Sequence, residues 1–434
     1  GDGLQDLVKV EPQEFIYRLY LGYGRWTPAQ RISIPTVTQD LVPSVELEDM
    51  NGDSLTDLVV VYDGELQYSL NQNGNAFSEW VTISSVNGRS LPEISESTVL
   101  YADMNGNGSV DVVWFDGNGS STYLELFPER PNLLSQITNN LGKVTKVTYD
   151  SSVRERLRSA QAGNPWAYRL PHPATVVVEK EIYDGVNDVS EVLTYDYQDG
   201  YYDGQEKQFR GYGVAEISTQ PNAFQSAGVE TQTFNLGIDD HYYNGLRLSK
   251  ASYSIDADTR VLLTQTTDSY ADCDVVGIPA NLSDDQAVRF ICRTQTDVLV
   301  VEGMPDAQIN KSTLFEYDGY GNLTKTQKLG VVSVGGGACG SCTRASDLFG
   351  EPCGAECTGD EHYEEKVFTV PGDALGQWRH DLLVSTTDYA DPASLNKRVV
   401  STFYDGEAFV GLPSGAYDKG RVHRVSALAK ADES

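Results

Sequence analysis

A short motif recurs in the first part of the chain and constrains what that end can fold into. GDGLQDLVKV starts at Gly1, GDSLTDLVVV at Gly52 and GNGSVDVVWF at Gly106. The stretches behind the motifs also align: YLGYGRWTPAQRIS, from Tyr20, matches SLNQNGNAFSEWVTIS, from Ser69. Self-similarity at about 50 residues, with several short strand patterns per unit, is the sequence form of propeller blades. Each such unit buries its faces only by stacking on its neighbours. A propeller usually needs about four to eight blades. The repeats in residues 1–127 are too few to close one, so the sequence predicts further blades ahead of Gly1 and a chain that is part of something longer.

The motifs carry the clearest chemistry. In Asp49-Met50-Asn51-Gly52-Asp53-Ser54-Leu55-Thr56-Asp57, side-chain oxygens stand at positions 1, 3, 5 and 9, and Leu55 at position 7 can offer its carbonyl. Calcium takes six to eight hard oxygen donors, and a tight glycine turn lets a loop wrap around it. The second loop has Asp103, Asn105, Asn107, Ser109 and Asp111 at the same spacing, with two carboxylates, and is expected to bind more weakly. In the first motif only Asp2 and Asp6 remain. No glutamate stands at position 12, so this is not an EF-hand. The competing reading is that these side chains cap their own turns. In either case the role is structural.

From Arg130 to Gly213 the pattern changes. Val144, Thr145, Val147, Thr148 and Tyr149 are β-branched or aromatic, as are Thr175 to Val178, Tyr195 and Tyr197. Such residues suit a pleated, half-buried surface. Gly200-Tyr201-Tyr202-Asp203-Gly204 predicts a turn between two strands, and Gly211 and Gly213 around Tyr212 predict a bulge or close backbone approach. One helix is expected over Ser151–Ala160, with Ser151 or Ser152 as N-cap. Pro165, Pro171 and Pro173 then enforce extended chain or turns. His172 between two of them reads as a turn residue, since a catalytic base needs a positioned partner.

Three stretches here, RPNLLSQITNNLGKVTKVTYDSS, NPWAYRLPHPATVVVE and GYYDGQEKQFRGYG, resemble the middle region of the SpvB/TcB family. That family includes the B components of Tc insecticidal toxin complexes and belongs to the wider Rhs/YD-repeat group. The first 127 residues resemble FG-GAP/VCBS repeats. The resemblance covers roughly residues 40 to 430 and implies an all-β fold: partial propeller blades, then a Rhs/YD-type β-shell segment. In the family the shell encloses a toxic polypeptide. The domains expected are 1–127 (blades), 128–220 (SpvB/TcB-like middle region) and 221–434 (shell segment with a cysteine-rich insert at 335–360).

Beyond residue 220, RLSKASYSID and VLLTQTTDSYA read as a hairpin pair. FEYDGYGNLTKTQKLG, from Phe315, resembles the YD repeat, with Phe315, Tyr317 and Leu323 on one face and a turn from Asp318 to Asn322. HYEEKVFTV, RHDLLVSTTDYA and RVVSTFYDGEAFVGLP continue the strand patterns. Of the six cysteines, Cys339, Cys342, Cys353 and Cys357 form C-x2-C-x10-C-x3-C in a glycine-rich loop. Four thiolates so placed could hold zinc. The alternatives are two disulfides, with Cys273 joined to Cys292 as a third, or free thiols. His362, close to Cys357, is a further zinc candidate.

The balance of 63 acids against 32 bases, net charge −31, argues against nucleic acid as a partner. It suits a secreted or extracellular protein whose surface is solvated. No apolar run reaches the roughly 20 residues of a membrane span. The sequence lacks a nucleophile elbow, a zinc-protease HExxH, a Walker loop or a dinucleotide fingerprint, and its five histidines are scattered. No enzyme is expected. The function expected is a non-catalytic scaffold of a Rhs/Tc-toxin-like assembly that wraps or delivers a polypeptide toxin, with the propeller docking a protein partner or gating the cage. The alternative is a secreted, calcium-stabilised adhesin or cell-surface binding protein.

Overall fold

A computed structural model gives the fold of the chain. It describes residues 5–430 apart from 63, 96, 258, 277–287, 303–307, 335–336, 339–360, 370–380, 391–396, 406–409, 412, 414–415 and 417–421. The chain divides into two compact units, Gly1–Phe209 and Arg210–Ser434.

The first unit opens with three larger antiparallel sheets, one for each repeat, beside two two-stranded ones. Leu7–Glu11, Glu14–Arg18 and Gln30–Ser33 form the first; Val45–Glu48, Asp57–Tyr62, Glu65–Ser69 and Val81–Ile83 the second; Ser97–Ala102, Asp111–Asp116 and Ser121–Leu124 the third. The run DLVVV explains how they stack. Successive strand residues point to opposite faces, and both faces of Asp57–Tyr62 are covered. Leu58 packs with Phe15, Ile32, Ile34, Val37 and Phe77, whereas Val59 and Val61 pack with Met50, Leu66, Leu91, Val112 and Trp114. The middle sheet is thus held on one side by the sheet before it and on the other by the sheet after it. Isolated blades would leave both faces wet.

Next in the same unit come the antiparallel strands Gln136–Thr138, Lys143–Ser151, Thr175–Asp184 and Val189–Asp203, in that order. A bulge falls between Thr148 and Tyr149. The helix is Ser152–Gln161, and Ser151 is its N-cap, its side-chain oxygen accepting from the Arg154 N–H. The turn expected over Gly200–Gly204 lies further on. The strand continues to Asp203, and the chain reverses over 204–207, where the Asp203 carboxylate accepts from the N–H groups of Gln205 and Glu206. The tyrosines that suggested a turn are strand residues: Tyr201 lies against Tyr168, and Tyr202 against His172.

The second unit is a long antiparallel ladder with strands in chain order: Gln208–Thr219, Gly228–Phe234, Arg247–Asp256, Thr259–Cys273, Phe290–Val300, Ile309–Tyr317, Leu323–Val334, His362–Phe368, Leu383–Tyr389, Lys397–Tyr404 and Val422–Lys430. RLSKASYSID pairs with the following strand as a hairpin, Asp256 opposite Thr259. Tyr317 pairs with Leu323, and Asp318 accepts from the N–H groups of Tyr320 and Asn322 to close the turn between them. Most side chains here are half-buried, as strands that alternate threonine, tyrosine and charge require.

Candidate functional site: two paired loops and the segment that clamps them

The loop 49–56 links Val45–Glu48 to Asp57–Tyr62, and the loop 103–110 links Ser97–Ala102 to Asp111–Asp116. In the first, the Asp53 N–H donates to Asp49 Oδ1 (3.0 Å) and Asn51 Oδ1 (2.9 Å), the Ser54 N–H to Asp49 Oδ2 (2.8 Å) and the Leu55 N–H to Asp53 Oδ1 (2.9 Å). Asp57 is fully buried and accepts from the N–H groups of Met50 (3.0 Å) and Asn71 (2.8 Å). Burial pushes its carboxyl up to about 6, with Asp53 and Asp49 adding to the rise. Burial also raises Asp49, and Asp53 contributes.

The second loop repeats the pattern. Asp103 accepts from the N–H groups of Gly106, Asn107 and Gly108, Asn105 Oδ1 from that of Asn107, and Asn107 Oδ1 from that of Ser109. Asp111 is fully buried; one oxygen accepts from the Met104 N–H at 2.8 Å and the other has no donor. Burial raises its carboxyl, and the charges of Glu125 and Asp103 add to this. Glu125 is a residue the sequence did not single out. Its Oε1 accepts from Asn105 Nδ2 (2.6 Å) and Asn107 Nδ2 (2.8 Å), which brings a third carboxylate to a loop that has two of its own.

The two loops meet. Gly52 has φ +77°, and a Cβ there would lie 2.8 Å from the Gly108 carbonyl oxygen. From beyond the blades, the Arg130 guanidinium donates to the Gly52 carbonyl and to Thr175 Oγ1. The Ser151 hydroxyl donates to the Gly106 carbonyl. Arg154 donates to the Asn105 backbone carbonyl (3.2 Å) and to Asn105 Oδ1 (3.3 Å). Beside this clamp lies a cavity of about 450 Å³, lined among others by Asn107, Arg130, Tyr149, Asp150, Arg154 and Thr175.

The donors at both loops are hard oxygens, which is the chemistry calcium selects. An ionised carboxylate has about four lone-pair sites, so accepting from a loop amide shapes the loop without exhausting the donor. Among the described residues no three His, Cys, Asp or Glu side chains converge as a metal-holding group. A cation at either loop would therefore draw on Asn51, Asn105, Asn107 and backbone carbonyls as well as carboxylates.

Of the cysteines, Cys273 and Cys292 form a disulfide between neighbouring strands, Cα–Cα 5.9 Å. Cys339, Cys342, Cys353 and Cys357 lie outside the described residues. His362 faces Asp388, with Nε2 3.6 Å from Oδ1. No helix among the described residues is long and apolar enough to cross a membrane.

Two family models match the chain. The insecticide toxin TcdB middle/N-terminal region matches residues 84–237, and an FG-GAP-like repeat matches residues 49–114, which contain both loops. The chain is similar to a crystal structure of TcdB2–TccC3, with 18% identity and a TM-score of 0.71, covering 97% of this chain and 24% of that one. The same figures hold for TcdB2–TccC3 without its hypervariable C-terminal region. For a Photorhabdus luminescens Tc holotoxin pore the identity is 17% and the TM-score 0.70, covering 95% of this chain and 23% of that one. The chain thus spans about a quarter of the length of the solved chains it matches. No curated protein matches it. Over nearly its whole length the chain has the fold of these structures, and within residues 49–237 it is similar to the TcdB middle/N-terminal region and to FG-GAP-like repeats.

Proposed function

We propose that this chain is a non-catalytic part of a Tc-toxin-like assembly, in which the ladder forms wall for a cage around a polypeptide toxin and the blades dock a protein partner or gate the cage. The observation that carries this reading is the junction in the first unit. Blade loops are clamped by Arg130, Ser151 and Arg154 onto the strands Lys143–Ser151 and Thr175–Asp184 and the helix between them, and the clamping residues lie within the region matched by the TcdB model. A wall of paired strands leaves few unsatisfied backbone groups and can enclose a chain that is not itself folded. The partners are proteins of the same complex, and the assembly works outside the cell that makes it.

The test uses the full-length protein together with the toxin-bearing protein encoded with it. Electron microscopy of the purified particle is expected to reveal an internal space large enough for a polypeptide, and the enclosed segment should resist added protease. A solid particle, or cargo digested as fast as the isolated toxin, would refute the reading.

Calcium at Asp49–Asp57 and Asp103–Asp111 belongs to the same proposal, as a stiffener of the blades. Asp49, Asn51, Asp53 and Asp57, with the Leu55 carbonyl, would hold it in the first loop; Asp103, Asn105, Asn107, Ser109 and Asp111 in the second. Bound there, the ion would offset the mutual repulsion of the loop acids. Titration calorimetry should give calcium-binding heat that Asp53→Ala diminishes; absence of heat from the unaltered protein would remove this part.

A further inference from the structure

Glu155 is a buried ionisable group to which neither the loops nor the cage assigns a role. It lies on the helix Ser152–Gln161, which packs on Val189–Asp203 and Lys143–Ser151, and none of it is exposed. The charges around it are poorly balanced. Arg158, on its own helix, places Nη2 2.5 Å from Oε1 but is half exposed, and the same nitrogen lies 2.6 Å from Asp150 Oδ2. Asp150, at the end of Lys143–Ser151, and Asp196, on Val189–Asp203, both add repulsion. Arg158 and the backbone N–H of Tyr197 favour the ionised form, yet neither Glu155 oxygen has a well-formed hydrogen bond. The half-exposed Arg158 guanidinium thus serves two carboxylates, Arg154 Nη1 reaches only Asp150 Oδ1 at 3.6 Å, and Asp196 stands by as a third acid. A buried charge with such partial compensation is costly, whereas a protonated carboxyl is far less so.

We propose that the seat of the helix Ser152–Gln161 on the strand Val189–Asp203 is a proton-controlled joint, closed while Glu155 is protonated and loosened when it ionises. Burial pushes the Glu155 carboxyl from 4.5 up to about 7 in the seated form. A seated form that holds its proton more tightly than the released form is favoured at low pH. Its advantage is complete below about 4.5, shrinks as pH rises, and is gone by about 7. The joint is wired to the blades. Ser151, the N-cap, donates to the Gly106 carbonyl; Arg154, on the first turn, holds Asn105; and Ser152 exchanges hydrogen bonds with Ala174. Loosening the helix therefore weakens the grip on the loop 103–110, and a rise in pH relaxes the clamp between that loop and the helix Ser152–Gln161 with its preceding strand Lys143–Ser151.

Hydrogen exchange with mass-spectrometric readout on the whole chain tests this. Protection factors, corrected for the intrinsic pH dependence of exchange, are compared at pH 5.0 and 8.0, with the strand Arg247–Asp256 as internal reference. Amides 155–161 are expected to lose at least about tenfold protection at the higher pH, the change that one pKa unit of linkage supplies, while the reference strand does not. Glu155→Gln should abolish that loss. Should that variant not fold, Asp196→Asn should shrink the loss by removing repulsion, and Arg158→Met should enlarge it by removing the compensating cation. Equal protection at both pH values in the unaltered chain overturns the proposal. So does an undiminished loss in Glu155→Gln, or no change in either of the other two variants.

Discussion

Gly52 illustrates how much a single position can carry in this fold. Its φ of +77° belongs to the left-handed region, and the space a side chain would need is taken by the Gly108 carbonyl and Arg130. Gly52→Ala meets both backbone strain and a backbone clash that cannot be relieved by turning a flexible side chain. It should lower stability by about 2–4 kcal/mol, as read by chemical denaturation. Asp57 makes a second case. It satisfies two amides, of Met50 and Asn71, from a site with no exposure. Asp57→Ala would leave the buried Met50 N–H and the half-buried Asn71 N–H unpaired, a loss of about 2–4 kcal/mol by the same measurement. The sequence marked both residues, Gly52 by its place in a repeated turn and Asp57 by its spacing. It did not mark Glu125, Arg130 or Arg154. These stand outside the loops in sequence, and nothing local says that they return to them.

At the level of elements, the strand Asp57–Tyr62 is the one on which the blades depend, because its alternate residues enter two different cores. Leu58→Ala removes a fully buried side chain between the first two sheets and should cost about 3–5 kcal/mol. The helix is the opposite kind of element. Its faces are largely polar and it is held at its start by Ser151, so Ser151→Ala should cost about 1–2 kcal/mol and unseat the first turn, visible as faster amide exchange there. In the ladder, the Cys273–Cys292 disulfide closes a loop with a sequence separation of 19. Reduction should destabilise that part by about 3 kcal/mol, detectable as a lowered midpoint in the second unit. The elements themselves were legible in the sequence. Alternation of β-branched and polar residues gave the strands, and a serine before a charged, apolar-spaced window gave the helix. The misplaced reversal after Val189 has a specific cause. Gly200 and Tyr201 are compatible with both turn and strand, and edge-on ring contacts of Tyr201 with Tyr168 and of Tyr202 with His172 chose strand.

For the whole molecule, the governing quantity is a net charge of −31. Acidic groups outnumber basic ones about two to one, so self-repulsion opposes the folded state at low ionic strength. Raising sodium chloride from about 10 to about 150 mM, which brings the screening length down to about 8 Å, should raise the thermal midpoint by a few degrees. An unchanged midpoint would mean that the acids are already compensated locally.

The sequence by itself determined what depends on near neighbours in the chain: the blade period, the oxygen-rich turns, the strand alternation, the helix cap and the acidic surface. The turns, strands and cap follow from φ, ψ and hydrogen bonds among residues only a few positions apart, whereas the period and the charge are read by direct comparison and count along the chain. Tertiary structure alone decided that Gly52 meets Gly108, that Arg130 and Arg154 reach back to grip the loops, that Glu125 supplies a third acid, and that Glu155 is buried among like charges. Those partners are mostly tens of residues apart, and stacking of whole sheets, rather than any local pattern, brings them together.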